Sequence, residues 1–388
     1  AGGNRMPEPL MTARELNRAL LARQHLLERA NLPLEAAVEA VGPLQAQYTP
    51  APAVALWSRV RDLTLEGYER AFEERRLVVA LLMRGTLHVV SAAEYWAIAA
   101  AAHACGRRAQ PPAMAESALD VAALEADLAV VCRGGQRTRA AVAAHIREWL
   151  AGHGHDPDDP DVARLGRLGW RAVRGTTFLL SVQSRGAWAR QAPDVYADAA
   201  AMLPRPPAPG PGPALAALVR HHLRAFGPAA HDDIASWIGA VPPAQLRAAR
   251  EALAPELLRF RDEAGRTLYD LAEAPRPDAG VPAPVRYLAP FDSVLLAYAP
   301  RFRGRILPEA HRAAVIRTRN LQVLATCLVD GMVAATWETE LRRGEATVLV
   351  RPLEPLHDRA RGALVEEGER LARFLNPKAA SHAARIVA

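Results

Sequence analysis

The chain repeats one order of elements, three helices followed by two short apolar strands, and proline and glycine break it where the order restarts. Such a pattern is incompatible with one long helical bundle or one continuous sheet. It calls for small helical units, each carrying its own β-hairpin. The first copy has sharp boundaries. Thr12-Ala13-Arg14-Glu15 is a capping box, and Leu16, Leu20 and Leu27 follow near helical spacing. The segment LEAAVEAV reads as a short helix that starts after Pro33 and stops at Gly42. LEGYERAFEERR reads as another helix, LVVALLM and TLHVV as two strands, and Ser91 with Glu94 caps the helix after them.

Residues 116–133 and 138–150 and a segment from Val162 give three further helices, and TTFLLSVQ a strand. A third copy runs ALAALVRHHLRAFG, AHDDIASWIG, PPAQLRAAREAL, then LLRFRDEAGRTLYDL as strand, turn, strand. Helix, helix, helix and a strand pair is the order of a winged helix. The copies share architecture and little sequence identity. LPRPPAPGPGP (203–213) and APRPDAGVPAP (274–284) are linkers. Beyond them, apolar runs alternate with turns and read as a β-rich, barrel-like unit, followed by a helix over 358–375 and a mobile tail. The expected fold is mainly α with β, as tandem winged-helix units plus a C-terminal β-rich unit. The expected divisions are 10–112, 113–204, 214–273, 285–356 and 357–388.

Composition narrows the partners. Net charge is +6, which suits a polyanion. Lys378 is the single lysine among 48 basic residues, and arginine-rich coding accounts for most of that ratio. The three cysteines, Cys105, Cys132 and Cys327, are far apart, form no zinc spacing and read as separate buried thiols in a reducing cytoplasm. No apolar run reaches membrane-spanning length, and AGGNRMPEPLMTARE lacks the apolar stretch of a secretory signal. A monomer acting at the nucleoid is expected.

The chemistry-bearing candidate is Gln45-Ala46-Gln47, bounded by Gly42-Pro43 and by Pro50 and Pro52. In an extended segment both carboxamides face one way. Together they can hold and orient a water, although a carboxamide is a feeble base. That suits a reaction whose leaving group departs easily. Arg84, Thr86 and His88 alternate in RGTLHVV and would share a strand face. Arg164, Arg167, Arg171 and Arg174 are spaced to line one helix face, where a winged helix places its recognition helix; Arg247 and Arg250 occupy the matching helix of the third copy. Arg301, Arg303 and Arg305 would face one way if extended. Such arginines contact phosphates, or form a solvated basic face. His153, His155 and Asp156 lack further ligands nearby, so neither a metal nor a cofactor is expected. Asp292 reads as a turn-fixing residue, and Tyr48 and Trp57, which flank the glutamine pair, as core or as support for a binding pocket.

LARQHLLERANLPLEAAVEAVGPLQAQYTPAPAVALWSRV, LLMRGTLHVV, LRAFGPAAHDDIASWIG and LAPFDSVLLAYAPR occur in an order that resembles the winged-helix DNA-binding family of AlkZ-type DNA glycosylases, over about residues 12–356. The resemblance implies tandem winged helices and a β-barrel cradling duplex DNA. It also implies a catalytic Gln-x-Gln at Gln45 and Gln47, where another branch of the family has Gln-x-Asp. This branch implies excision of bulky N7-alkylguanines, unhooking of interstrand crosslinks, and self-resistance to a genotoxic natural product. An N7-alkylated guanine is cationic and leaves without a general acid, while water must meet C1′ of an oxocarbenium-like sugar. Two carboxamides can place that water and turn their dipoles to the cation. Bulky adducts make a full flip of the nucleotide difficult, so the usual flipped-base pocket is not expected. With one lysine, in the tail, Schiff-base lyase chemistry is not expected either. The competing expectation is a non-enzymatic winged-helix regulator, which would need no glutamine pair.

Overall fold

The computed structural model describes residues 8–106, 119–176, 178–183, 186, 195–206, 210–239, 241–317, 319 and 322–387. The first part of the chain forms β1 (Leu10–Met11), α1 (Ala13–Arg23), α2 (Leu34–Val41), β2 (Leu44–Gln45), α3 (Ala51–Trp57), α4 (Leu65–Glu73), β3 (Leu77–Leu81), β4 (Leu87–Ser91) and α5 (Ala92–Gly106). The capping box closes the start of α1: Glu15 N–H donates to Thr12 Oγ1 at 3.2 Å, and Thr12 N–H to Glu15 Oε2 at 2.7 Å. Next come α6 (Val121–Arg133), β5 (Arg137–Thr138), α7 (Arg139–Gly152), α8 (Pro160–Thr176), β6 (Leu179–Val182), β7 (Val195–Asp198) and α9 (Ala199–Met202). The expected helix over 116–133 begins only at Val121, and residues 107–118 lie outside the described set.

A third set comprises α10 (Pro211–Phe226), α11 (His231–Ile238), α12 (Pro243–Ala252), β8 (Leu257–Asp262) and β9 (Thr267–Leu271). A very short strand or bridge in each set pairs with the last strand of that set, β2 with β4, β5 with β7 and Ala229 with Tyr269 of β9, whereas β1 pairs parallel with β8 of the third set. The first two sets join in one six-stranded sheet of order β2-β4-β3-β6-β7-β5, with every neighbouring pair antiparallel. The seam pairs Val79 with Ser181 and Ala80 with Leu180.

The last part contains β10 (Arg286–Leu288), α13 (Ser293–Leu296), α14 (Glu309–Val315), β11 (Ile316–Arg317), β12 (Gln322–Val323), β13 (Thr326–Val329), β14 (Met332–Arg342), β15 (Glu345–Pro352), α15 (Asp358–Leu375) and β16 (Ser381–Ile386). Two expectations are corrected here. The β-rich unit is an open sheet of order β10-β13-β14-β15-β16 and not a closed barrel. Its apolar face is covered by α15, with Tyr287 O–H donating to the Leu364 carbonyl at 2.7 Å, so closure is not needed to bury it. The tail is not free: β16 runs parallel to β15, with α15 as the crossover that parallel pairing requires. Among the described residues no helix is long and apolar enough to cross a membrane.

Several buried polar contacts fix the segment carrying the glutamines. Gly42 ends α2 at φ +91°, and a methyl group there would lie 3.3 Å from Phe226 Cε2, so only glycine lets β2 lie this close to α10 without strain. Gln24 donates to Val41 O at 2.7 Å and Ala225 O at 2.9 Å, satisfying carbonyls at the ends of both helices. Arg59 and Asp292, both fully buried, form a two-pronged pair at 2.7 and 3.0 Å that ties the end of α3 to the start of α13. Asp292 also caps α13 through Val294 N–H, the turn-fixing role its sequence suggests.

Candidate active site

The tip of the β3–β4 hairpin gathers both glutamines with Arg84, Thr86 and His88. Arg84 and Gly85 turn the chain with φ +56° and +64°. Arg84 is therefore not on the strand face expected from its alternation with Thr86 and His88; the positive φ takes it out of the ladder. One of its guanidinium nitrogens donates to Trp237 O of α11, and Nη2 lies 3.4 Å from Gln45 Oε1. Burial, with Arg303 adding repulsion, lowers the Arg84 pKa to about 10. On another side of the tip, a methyl group at Gly85 would sit 3.8 Å from Arg171 Nη2. Residues from all three helical sets thus meet at this turn.

Gln45 is half-buried in β2 and pairs across the ladder with His88. Gln47 is exposed just beyond β2, and its Oε1 accepts the Leu87 N–H at 2.9 Å. Ala46 N–H donates to Leu87 O at 2.7 Å, so one residue of β4 holds the Gln-x-Gln segment twice. A carboxamide oxygen has two lone pairs, which leaves Gln47 Oε1 able to accept from a water as well. Thr86 Oγ1 donates to Met83 O at 3.1 Å and serves the turn. His88 is buried, and its Nδ1–H donates to Thr86 O at 2.9 Å. Burial, helped by the Arg84 charge, lowers its pKa to about 3, so the ring is neutral and supplies no acidic proton near neutral pH. The hairpin offers oriented neutral dipoles and one guanidinium.

The arginine candidates separate. Arg164, Arg167 and Arg171 are exposed along α8, Arg164 beside Asp161 at 3.7 Å. Arg174 leaves that row: it is half-buried over Tyr196, 4.9 Å from the ring centroid. Residues 300–305 form a 3-10 helix that starts at Pro300 and not an extended segment, so Arg301, Arg303 and Arg305 do not face one way. Arg301 is exposed, 3.5 Å from Asp232. Arg303 donates to Tyr298 O at 3.2 Å. Arg305 is buried, donates to Pro228 O at 2.8 Å and stacks 4.0 Å over Tyr298, so its charge is used inside the protein. Sequence reasoning passed over Arg312, Arg317 and Arg319, which line a groove of about 870 Å³ with Arg303. Their dense spacing in HRAAVIRTR was the available signal.

The sequence matches the AlkZ-like model, described as DNA glycosylase AlkZ-like, over residues 38–374. The chain belongs to the AlkZ-like DNA glycosylase family. No curated protein matches it. Among solved structures, this AlkZ-like chain is similar to Streptomyces sahachiroi DNA glycosylase AlkZ, with TM-score 0.77 at 21% identity over 97% of this chain and 100% of that one. At that identity the likeness shows a shared fold. AlkZ-like membership makes DNA the substrate and the N-glycosidic bond the point of attack.

Proposed function

We propose that this AlkZ-like chain hydrolyses the N-glycosidic bond of bulky N7-alkylguanines in duplex DNA, with Gln45 and Gln47 as the catalytic residues. It unhooks interstrand crosslinks built on that linkage and protects its host from a genotoxic natural product. The observation that supports this most is the double anchoring of the Gln-x-Gln segment on Leu87. That arrangement presents carboxamide dipoles without an acidic proton donor at the hairpin, which an already cationic leaving group does not need.

The chain acts as a monomer in the cytoplasm, at the nucleoid. The three helix–strand sets are tandem winged helices, each with a short first strand added to its hairpin, and with the C-terminal sheet they cradle the duplex. Arg164, Arg167 and Arg171, with Arg301 and Arg303, contact phosphates. Gln45 and Gln47 place a water against C1′ while positive charge develops on the sugar. The abasic site is left uncut, because Lys378, the single lysine, lies in the turn between α15 and β16.

A duplex with one N7-guanine crosslink and one labelled strand tests this reading. Conversion to separable single strands on a denaturing gel, after cleavage of abasic sites, is expected. Persistence of the crosslink alongside release of a simple N7-alkylguanine would restrict the activity to monoadducts.

A further inference from the structure

Gln47 lines a pocket of about 820 Å³ between the first helical set and the C-terminal sheet, and Gln45, turned toward Arg84, does not. We propose that this pocket receives the N7 substituent of the alkylated guanine and selects planar aromatic substituents over small alkyl groups. The proposal rests on the glycosylase reading above and gives it a specificity site.

N7 and N9 belong to the same five-membered ring, joined through C8, so anything attached to N7 begins a few ångströms from the glycosidic bond. With the water held at C1′ by Gln45 and Gln47, that substituent lies close to the space beside Gln47. The space there is of the size that takes drug-sized ligands. Its walls include Tyr48, Val54, Phe291, Leu324 and Trp337. Only the substituent enters, so the nucleotide need not flip fully.

The Trp337 wall is held in place before anything binds. The Trp337 indole N–H donates to Leu288 O at 2.9 Å, and the ring meets Tyr287 edge to face at 5.8 Å. Phe291 stands at φ +57°, a left-handed conformation costly for an aromatic residue, and its N–H is tied to Val323 O at 3.2 Å. Tyr48 is 37% exposed, a large ring left open to solvent at the approach to α3. A ring fixed as Trp337 is loses little freedom when a planar group stacks on it. At the rim, Arg351 pairs with Glu338 at 2.8 Å, which keeps the opening polar.

Single-turnover excision from two duplexes, one with N7-benzylguanine and one with N7-methylguanine, tests the assignment in wild type, Trp337→Ala, Trp337→Phe and Tyr48→Ala. The expected result is a loss of roughly ten- to a hundredfold on the benzyl substrate for Trp337→Ala, the size of one lost stacking partner. Tyr48→Ala should show a smaller loss on that substrate, Trp337→Phe should restore most of it, and the methyl substrate should change less than about twofold in all three variants. Should Trp337→Ala not fold, the exposed Tyr48→Ala and the conservative Trp337→Phe still report the ratio of the two substrates. Equal losses on both substrates, or no loss on either, overturn the pocket assignment and leave the glycosylase reading standing. Release of neither base by the wild type overturns the glycosylase reading, and the pocket falls with it.

Discussion

Gln47 Oε1 sits 2.9 Å from the backbone nitrogen of Leu87, so a side chain caps the first amide of β4 where β2 has already ended. The bond is exposed, and water can replace it. Gln47→Ala is therefore expected to change stability by no more than about 1 kcal/mol. Urea denaturation checks this, and a larger loss would make the residue a structural anchor first.

His88 and His222 are both buried, with pKa values lowered to about 3 by burial, against 6.5 for the free side chain. Between those values the unfolded chain binds protons that the folded chain refuses. Stability is thus full above pH 6.5 and falls as the pH drops toward 3, by up to about 1.4 kcal/mol per pH unit for each ring. Denaturation midpoints at pH 7 and pH 5 should show the fall. His88→Asn, which keeps a donor for Thr86 O, should flatten the slope.

The Arg59–Asp292 pair joins residues 233 apart in sequence and is sealed from water. Asp292→Asn leaves a buried guanidinium short of its charge partner. A loss of about 3–5 kcal/mol is expected, seen as a lower denaturation midpoint.

Arg167 and Arg171 are exposed on α8, and Arg305 is not. If the first two touch phosphates, replacing both by Ala should lower the slope of log affinity against log salt by about 1.8. Arg305→Ala should lower thermal stability instead. Titrations of undamaged duplex at several salt concentrations separate the two behaviours.

Local signals were legible where chemistry is local. Gly42 marked the end of α2, the Thr12–Glu15 box the start of α1, and the helix over 358–375 was readable to the residue. Gln45 and Gln47 stood out because turn residues flank them. What stayed hidden depends on distant partners. Nothing in SHAARI shows that it will lie beside β15, because that pairing exists only after α15 has crossed the sheet. Alternation placed Arg84 on a strand face, whereas a turn with two positive φ angles sends it to Trp237 and Gln45. Arg301, Arg303 and Arg305 alternate in sequence, but their short helix spreads them from surface to core. The groove of Arg303, Arg312, Arg317 and Arg319 forms only when 300–305 and α14 with β11 pack together.

The most direct test of the account is base release from a duplex carrying one N7-alkylguanine, with wild type beside the Gln45→Ala/Gln47→Ala double variant. The account predicts free modified base from the wild type, an intact abasic strand and no borohydride-trapped adduct. It predicts release slowed at least roughly fivefold in the double variant, and by roughly thirtyfold or more if the two single effects of about 1–3 kcal/mol add. A double variant that excises at the wild-type rate would contradict it, and would leave the glutamines as no more than the polar end of β2.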